Sequence, residues 1–269
     1  MSDLRILIRG SNDVASAVAH RLFSAGYGVV IHDLPQPSAT RRKMCFTDAI
    51  FDGHSELDGV QAKLMKRLYL LRGELVAHQV TPIVVKDFHE LMNTLHPQIL
   101  VDARMRKHIQ PEYQRGLAEF TIGLGPNFIA GETVDVAIET NWGDSLGQVI
   151  EHGATNALQG EPREIDGHAR DRYVYAPVSG TFRTSLQIGD HVSQGQEVAW
   201  IDSTSLLAPI AGVLRGLTHD NVPVTAKTKV VEVDPRTQDA QISGIGGRPA
   251  RIAEGVFTAI QNWEANHVH

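Results

Sequence analysis

Apolar residues in the first half of the chain fall into short unbroken runs separated by stretches of helical spacing. LRILIRG, ending at Gly10, is a continuous β-rich run, the pattern of a strand buried on both faces. From Asp13 the spacing changes, and Val14, Val18, Leu22 and Ala25 make one helical stripe that Gly26 stops. GVVIHD is a second short strand whose Asp33 lies 23 residues after Gly10. Strand, helix and strand in about 30 residues make a βαβ unit. TPIVVKD, FHELMNTLH and QILVDARM predict a strand, a helix and a strand ending at Asp102 and Arg104. FTIGLGPNFIAGETVDVAIET adds a strand, a glycine-rich loop and a last strand.

The second half carries a repeat. APVSGTFRTSLQIGDHVSQGQEVAWID from Ala176 aligns without a gap on APIAGVLRGLTHDNVPVTAKTKVVEVD from Ala208, an offset of 32 residues. Ala, Pro, Gly, Arg, Val and Asp coincide at 176/208, 177/209, 180/212, 183/215, 192/224, 198/230 and 202/234. Each copy is too small to bury a core alone, so the two should interlock. The predicted fold class is therefore α/β plus all-β: a Rossmann-like parallel-sheet domain over 1–150, a glycine-rich connector over 151–172 and an antiparallel domain over 173–238. Gly153, Gly160 and Gly167 punctuate the connector or line an interdomain cleft. In 239–269 the stripe Ile252, Val256, Ile260 predicts an amphipathic helix, packed back on the N-terminal domain or forming a homodimer seam.

In open α/β sheets ligands collect outside the carboxyl ends of the strands, which here carry Asp33, Asp102 and Arg104. The first turn, Gly10-Ser11-Asn12-Asp13, departs from the dinucleotide fingerprint G-x-G-x-x-G/A, because Asn12 stands where the middle glycine admits a pyrophosphate. A structural turn without nucleotide therefore carries nearly equal weight. Asp33 is placed to accept from a ribose hydroxyl, and Arg41 and Arg42 suit a phosphate by bidentate geometry. Gly123, Gly125 and Gly131 leave amides free for an anion, and Asn127 adds a side-chain amide. His20, His32, His54, His89 and His108 show no metal-ligand spacing, and no metal is expected.

Composition narrows the partners. A net charge of -6 without a basic block argues against nucleic acid. One cysteine, Cys45, excludes an internal disulfide and a multi-cysteine metal cage, and reads as a packing residue. With no apolar run of about 18 residues and no basic-then-apolar start, the expectation is a cytoplasmic protein without a membrane partner.

Taken together, IRGSNDVASAVAHRL, PQPSATRR, ILVDARM, IGLGPNFIAG, VAIETNWGDSLGQVI, APVSGTF and APIAGVLRGL resemble the YqeB family of accessory proteins, named for selenium-dependent molybdenum hydroxylase systems. The family pattern at the first turn is closer to RGAGDLA, so Asn12 replaces a glycine of its relatives. The repeat resembles the biotinyl/lipoyl-type barrel-sandwich hybrid, but its joining segment Asp202-Ser-Thr-Ser-Leu-Leu207 has no lysine, so covalent biotin or lipoate is not expected.

The resemblance, with the N-terminal half similar to XdhC/CoxI accessory proteins, implies a maturation protein for a molybdenum hydroxylase client. It implies a phosphorylated cofactor, molybdopterin or its nucleotide form, or another nucleotide, at an edge built from residues 10–13, 41, 102–104 and 123–131. Two rivals stand beside it. An NAD-dependent oxidoreductase would use Asp33, but no Tyr-x-x-x-Lys proton donor follows the sheet. A non-catalytic scaffold would dock a client through an apolar patch.

Overall fold

The computed structural model describes residues 4–106, 109–158 and 162–267. His108 and Gly160 lie outside them. β1 (Arg5–Arg9), α1 (Asp13–Ser24) and β2 (Gly28–His32) realise the βαβ unit. There follow α2 (Asp48–Asp52), β3 (His54–Leu57), β4 (Val60–Leu64), α3 (Leu71–Ala77), β5 (Thr81–Val84), α4 (Phe88–Leu95) and β6 (Ile99–Asp102). β7 (Phe120–Leu124), β8 (Ile129–Ala130), β9 (Val136–Ile138), β10 (Val149–Ile150) and β11 (Gly153–Ala154) complete this half.

One sheet of nine strands runs β10-β9-β7-β6-β1-β2-β5-β4-β3. Its interior pairs are parallel, and the edge strands β10 and β3 lie antiparallel to β9 and β4. The β3–β4 hairpin, absent from the sequence reading, turns on Asp58 and Gly59, both at positive φ (44° and 84°) as an Asp-Gly turn requires.

The period-2 alternation of β1 divides the core. Ile6 and Ile8 face a cluster with Val14, Val18 and Leu22 of α1, while Leu7 faces Leu71 of α3 and Leu91 and Leu95 of α4. The sheet is thus covered on both faces, as unbroken apolar strands demand.

The repeat becomes two four-stranded antiparallel sheets. Its strands are β12 (Tyr173–Tyr175), β13 (Gly180–Arg183), β14 (His191–Val192), β15 (Glu197–Ile201), β16 (Thr204–Leu207), β17 (Gly212–Leu217), β18 (Val222–Val224) and β19 (Lys229–Asp234). One sheet is ordered β12-β19-β17-β14 and the other β16-β15-β13-β18. Shifting every strand to its counterpart in the other copy turns one order into the other, so each sheet takes two strands from each copy. Phe182 and Leu214, counterparts in the repeat, are buried in the one shared core. Neither copy closes without the other.

The last element, α5 (Gly247–His267), returns to the parallel sheet. Ile252, Val256 and Ile260 are fully buried in the cluster that contains α1, and Trp263 stacks on Phe120 at 5.6 Å. Among the described residues no helix is long and apolar enough to cross a membrane.

Candidate functional site

Strand order reverses at β1, with β2 on one side and β6 on the other, and a crevice opens outside the carboxyl ends there. It forms part of a cleft of about 1620 Å³ whose far wall comes from the antiparallel sheets and the start of α5. Gly10, Asn12, Asp13, Asp33, Arg41 and Arg104 line it, as the sequence placed them at one edge. Ser11, Arg42, Asp102, Gly123, Gly125, Asn127 and Gly131 do not.

The first turn explains the missing glycine. Gly10 has φ 105°, and a Cβ there would sit 3.1 Å from the Ala103 carbonyl oxygen, so this position needs glycine. Asn12 is the N-cap of α1 in ordinary extended backbone, φ -64° and ψ 179°. Its Oδ1 accepts from the amides of Val14 and Ala15 at 3.0 and 3.1 Å, and its Nδ2 donates to the Ala103 carbonyl at 2.8 Å. A helix N-terminus that would hold a phosphate is therefore satisfied by its own side chain. Asp33 is also engaged: its Oδ2 accepts from the amide and hydroxyl of buried Ser11 at 2.7 and 2.6 Å, and its Oδ1 from the Leu34 amide. These contacts hold the strand end against the turn.

Arg41 and Arg42 are both engaged within the chain. Arg41 donates to Asp13 at 2.9 Å and to both oxygens of Glu232 in β19 at 3.2 Å. Arg42 donates through Nε to the Leu217 carbonyl at 3.0 Å, while the Leu217 amide donates to the Thr40 carbonyl at 2.8 Å. With Lys43 on the Ile188 carbonyl and Phe51 stacked on His219 at 4.0 Å, residues 40–51 join the two halves.

Glu232 is fully buried and also receives Arg172 at 2.6 Å, Lys229 at 2.7 Å and Arg215 at 3.5 Å. Burial opposes its charge, but Lys229, Arg41 and Arg215 outweigh that and hold its carboxyl well below the ordinary value. Burial likewise pushes the Asp13 carboxyl up, and Arg41, followed by Arg248 and Lys229, brings it below the usual range.

At the other end of the cleft, Asp102 is buried beneath Arg104, which donates to it through Nε at 2.9 Å and Nη2 at 2.5 Å. Arg104 and Arg106 both also bind Glu112. Asp102 thus positions Arg104 from below.

The GLGPNFIAG segment reaches the cleft only through Pro126. A Cβ on Gly123 would enter the Phe128 ring, Gly125 passes Met105 at φ 111°, and the Gly131 amide donates to the Val134 carbonyl at 2.8 Å. Asn127 takes a left-handed turn, φ 72°, and its carbonyl accepts from Gln110. These residues serve chain reversal and close packing.

The structure adds residues the sequence reading passed over. Among the described residues thirteen Arg and Lys line the cleft against four Asp and Glu, although the whole chain carries a net charge of -6. Most of these cations are paired with carboxylates, but among the described residues none lies within 4 Å of Arg9 or Arg248. Burial, followed by the neighbouring Arg104, brings Arg9 down to about 10; its guanidinium lies 4.1 Å over the Phe88 ring with Nη1 3.4 Å from Gln114, and among the described residues its buried Nε has no hydrogen-bond partner. Arg248 donates to the Thr140 carbonyl at 2.9 Å, and burial lowers its pKa. It sits in the first turn of α5, where the amides of residues 247 and 248 have no acceptor within the helix.

Trp142, half exposed, forms another part of the wall, with the Arg163 guanidinium 5.2 Å over its ring. The run Gly246-Gly247-Arg248-Pro249 did carry a signal, since proline in the first turn marks a helix start. Cys45 is buried and its thiol is pushed up to about 12 by that burial. Among the described residues no group of three or more His, Cys, Asp or Glu is placed to hold a metal ion.

Fold and cleft define a mixed α/β protein in which a large, mostly parallel sheet and a pair of antiparallel sheets enclose a cationic cavity. No family model matches the chain. The uncharacterized protein YqeB of Escherichia coli (strain K12) is 34% identical over 255 residues, which is 95% of this chain and 47% of that relative. The chain belongs to the YqeB family and spans about half the length of this relative.

Among solved structures, a succinylglutamate desuccinylase/aspartoacylase from Rhodobacter sphaeroides is 27% identical where the two align, covering 32% of this chain and 30% of that one with a TM-score of 0.22. An aspartoacylase family protein from Mesorhizobium loti is 10% identical, covering 88% and 86% with a TM-score of 0.27. Likeness at this level defines neither fold nor activity.

Proposed function

We propose that the cleft binds a phosphorylated small molecule and that the chain serves as a cofactor-handling accessory protein of a molybdenum hydroxylase, as the family resemblance implies. The observation that carries the anion-binding part is that Arg9 and Arg248, half-buried in a wall rich in Arg and Lys, have no carboxylate within 4 Å among the described residues. Half-buried guanidiniums that form no direct ion pair among the described residues favour an anionic ligand, and paired oxygens of a phosphate suit them. The first turn of α5 adds backbone amides and the positive end of a helix dipole. α1 does not contribute in this way, because Asn12 occupies its amides.

The donor set fits the phosphate end of molybdopterin or its nucleotide form, with Arg9 and Arg248 as holders and Trp142 as a face for a flat ring. Buried Cys45 is unsuited as a thiolate ligand for the metal. Such a cofactor, when bound, supplies the oxygen-transfer chemistry of its client enzyme; the residues of this chain hold and shield it. In the same reading residues 1–150 with 239–269 are the binding domain and 151–172 a connector. Residues 173–238 then form a barrel-sandwich hybrid that closes the cleft.

Thermal shift of the purified protein with ATP, CTP, NAD(H), NADP(H) and molybdopterin forms tests the proposal. A ligand at 100 times its Kd adds about 2.7 kcal/mol of stability. We expect a shift with a phosphorylated pterin or nucleotide that is lost in Arg9→Ala and Arg248→Ala and weakened by salt. A chain indifferent to every ligand would instead be a docking scaffold.

A further inference from the structure

Lys229 opens β19 at the cleft wall, with a quarter of its side chain exposed. Its Nζ lies 2.7 Å from Glu232 and 4.3 Å from the centre of the Tyr173 ring. Lys229 shares that carboxylate with three arginines. Arg41, Arg172 and Arg215 remain on that carboxylate when the ammonium loses its proton. We propose that Lys229 is the amine of a covalent site in this cleft, capturing an anionic carbonyl compound as a Schiff base. The proposal rests on the anion-binding reading of the cleft and adds a reaction to it.

The chemistry needs a neutral amine beside groups that hold an anion. Burial, followed by the opposing pull of Glu232 and the repulsion of Arg41, brings Lys229 down to about 8, within reach of neutral pH. The groups facing it are Glu232 on its own strand, Tyr173 on β12, Arg41 from the joining segment and Asp13 at the start of α1. Arg248, which acts on the same Asp13, lines the same cleft and would anchor the ligand's charge.

The lone pair of the amine adds to the carbonyl carbon, and the π pair moves to oxygen. That oxygen takes one proton as the nitrogen gives one up, forming a carbinolamine. A second proton on the oxygen releases it as water and leaves a protonated imine, which loses its proton or retains it beside Glu232. Carbonyl plus amine gives imine plus water; no oxidant or reductant takes part.

Pyridoxal 5′-phosphate is a suitable probe, an aldehyde and a phosphate in one molecule, with pyridoxal as its phosphate-free control. The full chain is incubated with each, reduced with borohydride and mapped by mass spectrometry across its seven lysines. The expected result is one reduced adduct at Lys229, at least tenfold over any other lysine. The adduct should depend on the phosphate, be suppressed by excess pyrophosphate, and form faster as pH rises through 8. Lys227→Arg should label as wild type does, and Lys229→Arg should not.

Labelling spread evenly over the lysines, or unaffected by pyrophosphate, overturns the proposal, and this holds for the wild-type chain whether or not the variants fold. A thermal shift with phosphorylated ligands but no Lys229 adduct removes the Schiff base and leaves anion binding standing. Neither shift nor adduct removes both.

Discussion

Glu232 has Lys229, Arg41, Arg172 and Arg215 within 4 Å and no exposure to solvent. Taking away one partner of a buried ion cluster leaves the others uncompensated, at a cost of about 3–5 kcal/mol. Glu232→Gln should therefore lower unfolding free energy by about that much in urea titrations, with the cleft cations repelling one another. The pH dependence has a definite sign. The folded carboxyl is held below its unfolded value of about 4.3, so its stabilisation is complete above that pH and is lost as pH falls toward the folded value. Asp13 and Asp102 are depressed in the same direction, so the wild-type chain should lose stability steeply below about pH 4–5. Glu232→Gln should start lower and fall less steeply, and parallel acid limbs for the two proteins would show that Glu232 is not the group responsible.

Among the elements, α1 and α5 lie side by side with their first turns at the same cleft, and their termini differ in kind. Asn12→Ala removes the cap of α1 and should cost about 1 kcal/mol; Asn12→Gly should cost only a few tenths, because glycine also tolerates the cap position. The glycine variant frees the Ala15 amide, while Val14 still donates to Asp13 at 3.1 Å, and should bind NAD more tightly than wild type in calorimetry; equal affinities would mean that Asn12 does not occlude the turn. On α5, a Cβ at Gly255 would strike the Gly147 carbonyl. Alanine gains about 1 kcal/mol of helix propensity, but the overpacking costs about 1–3 kcal/mol. Gly255→Ala should therefore lower Tm, a result opposite to the usual helix substitution. The elements themselves were readable where pattern alone fixes them: the unbroken run of β1, the stripe of α1, and the 32-residue repeat with its exchange of strands. The β3–β4 hairpin was spelled by Asp58-Gly59 between alternating residues and still passed over. The site was less legible, because contacts between distant segments decide it. Nothing local says that Arg41 will find Glu232 some 191 positions later, or that Arg248 will come to the cleft and donate to the Thr140 carbonyl.

At the scale of the whole molecule, α5 does two jobs that the chain order separates from their targets. It seals one face of the parallel sheet through Ile252, Val256, Ile260 and Trp263, and it carries Arg248 to the cleft. Each large apolar side chain taken from water is worth about 1.5–3 kcal/mol. Four of them together approach the whole stability of an ordinary domain, about 5–15 kcal/mol. The antiparallel sheets have their own core and do not share this dependence. A chain ending before Gly247 should therefore lose protection in the parallel sheet while the strands from β12 to β19 keep theirs, as read by hydrogen exchange. Adding a peptide of residues 245–267 in trans should restore the sheet and, with it, any ligand-induced shift. If the shortened chain keeps native protection in β1, β2 and β6, the helix is only an ornament on the sheet. If the peptide restores protection but an Arg248→Ala peptide does not restore binding, the two jobs of α5 separate cleanly into packing by its buried stripe and recognition by its first turn.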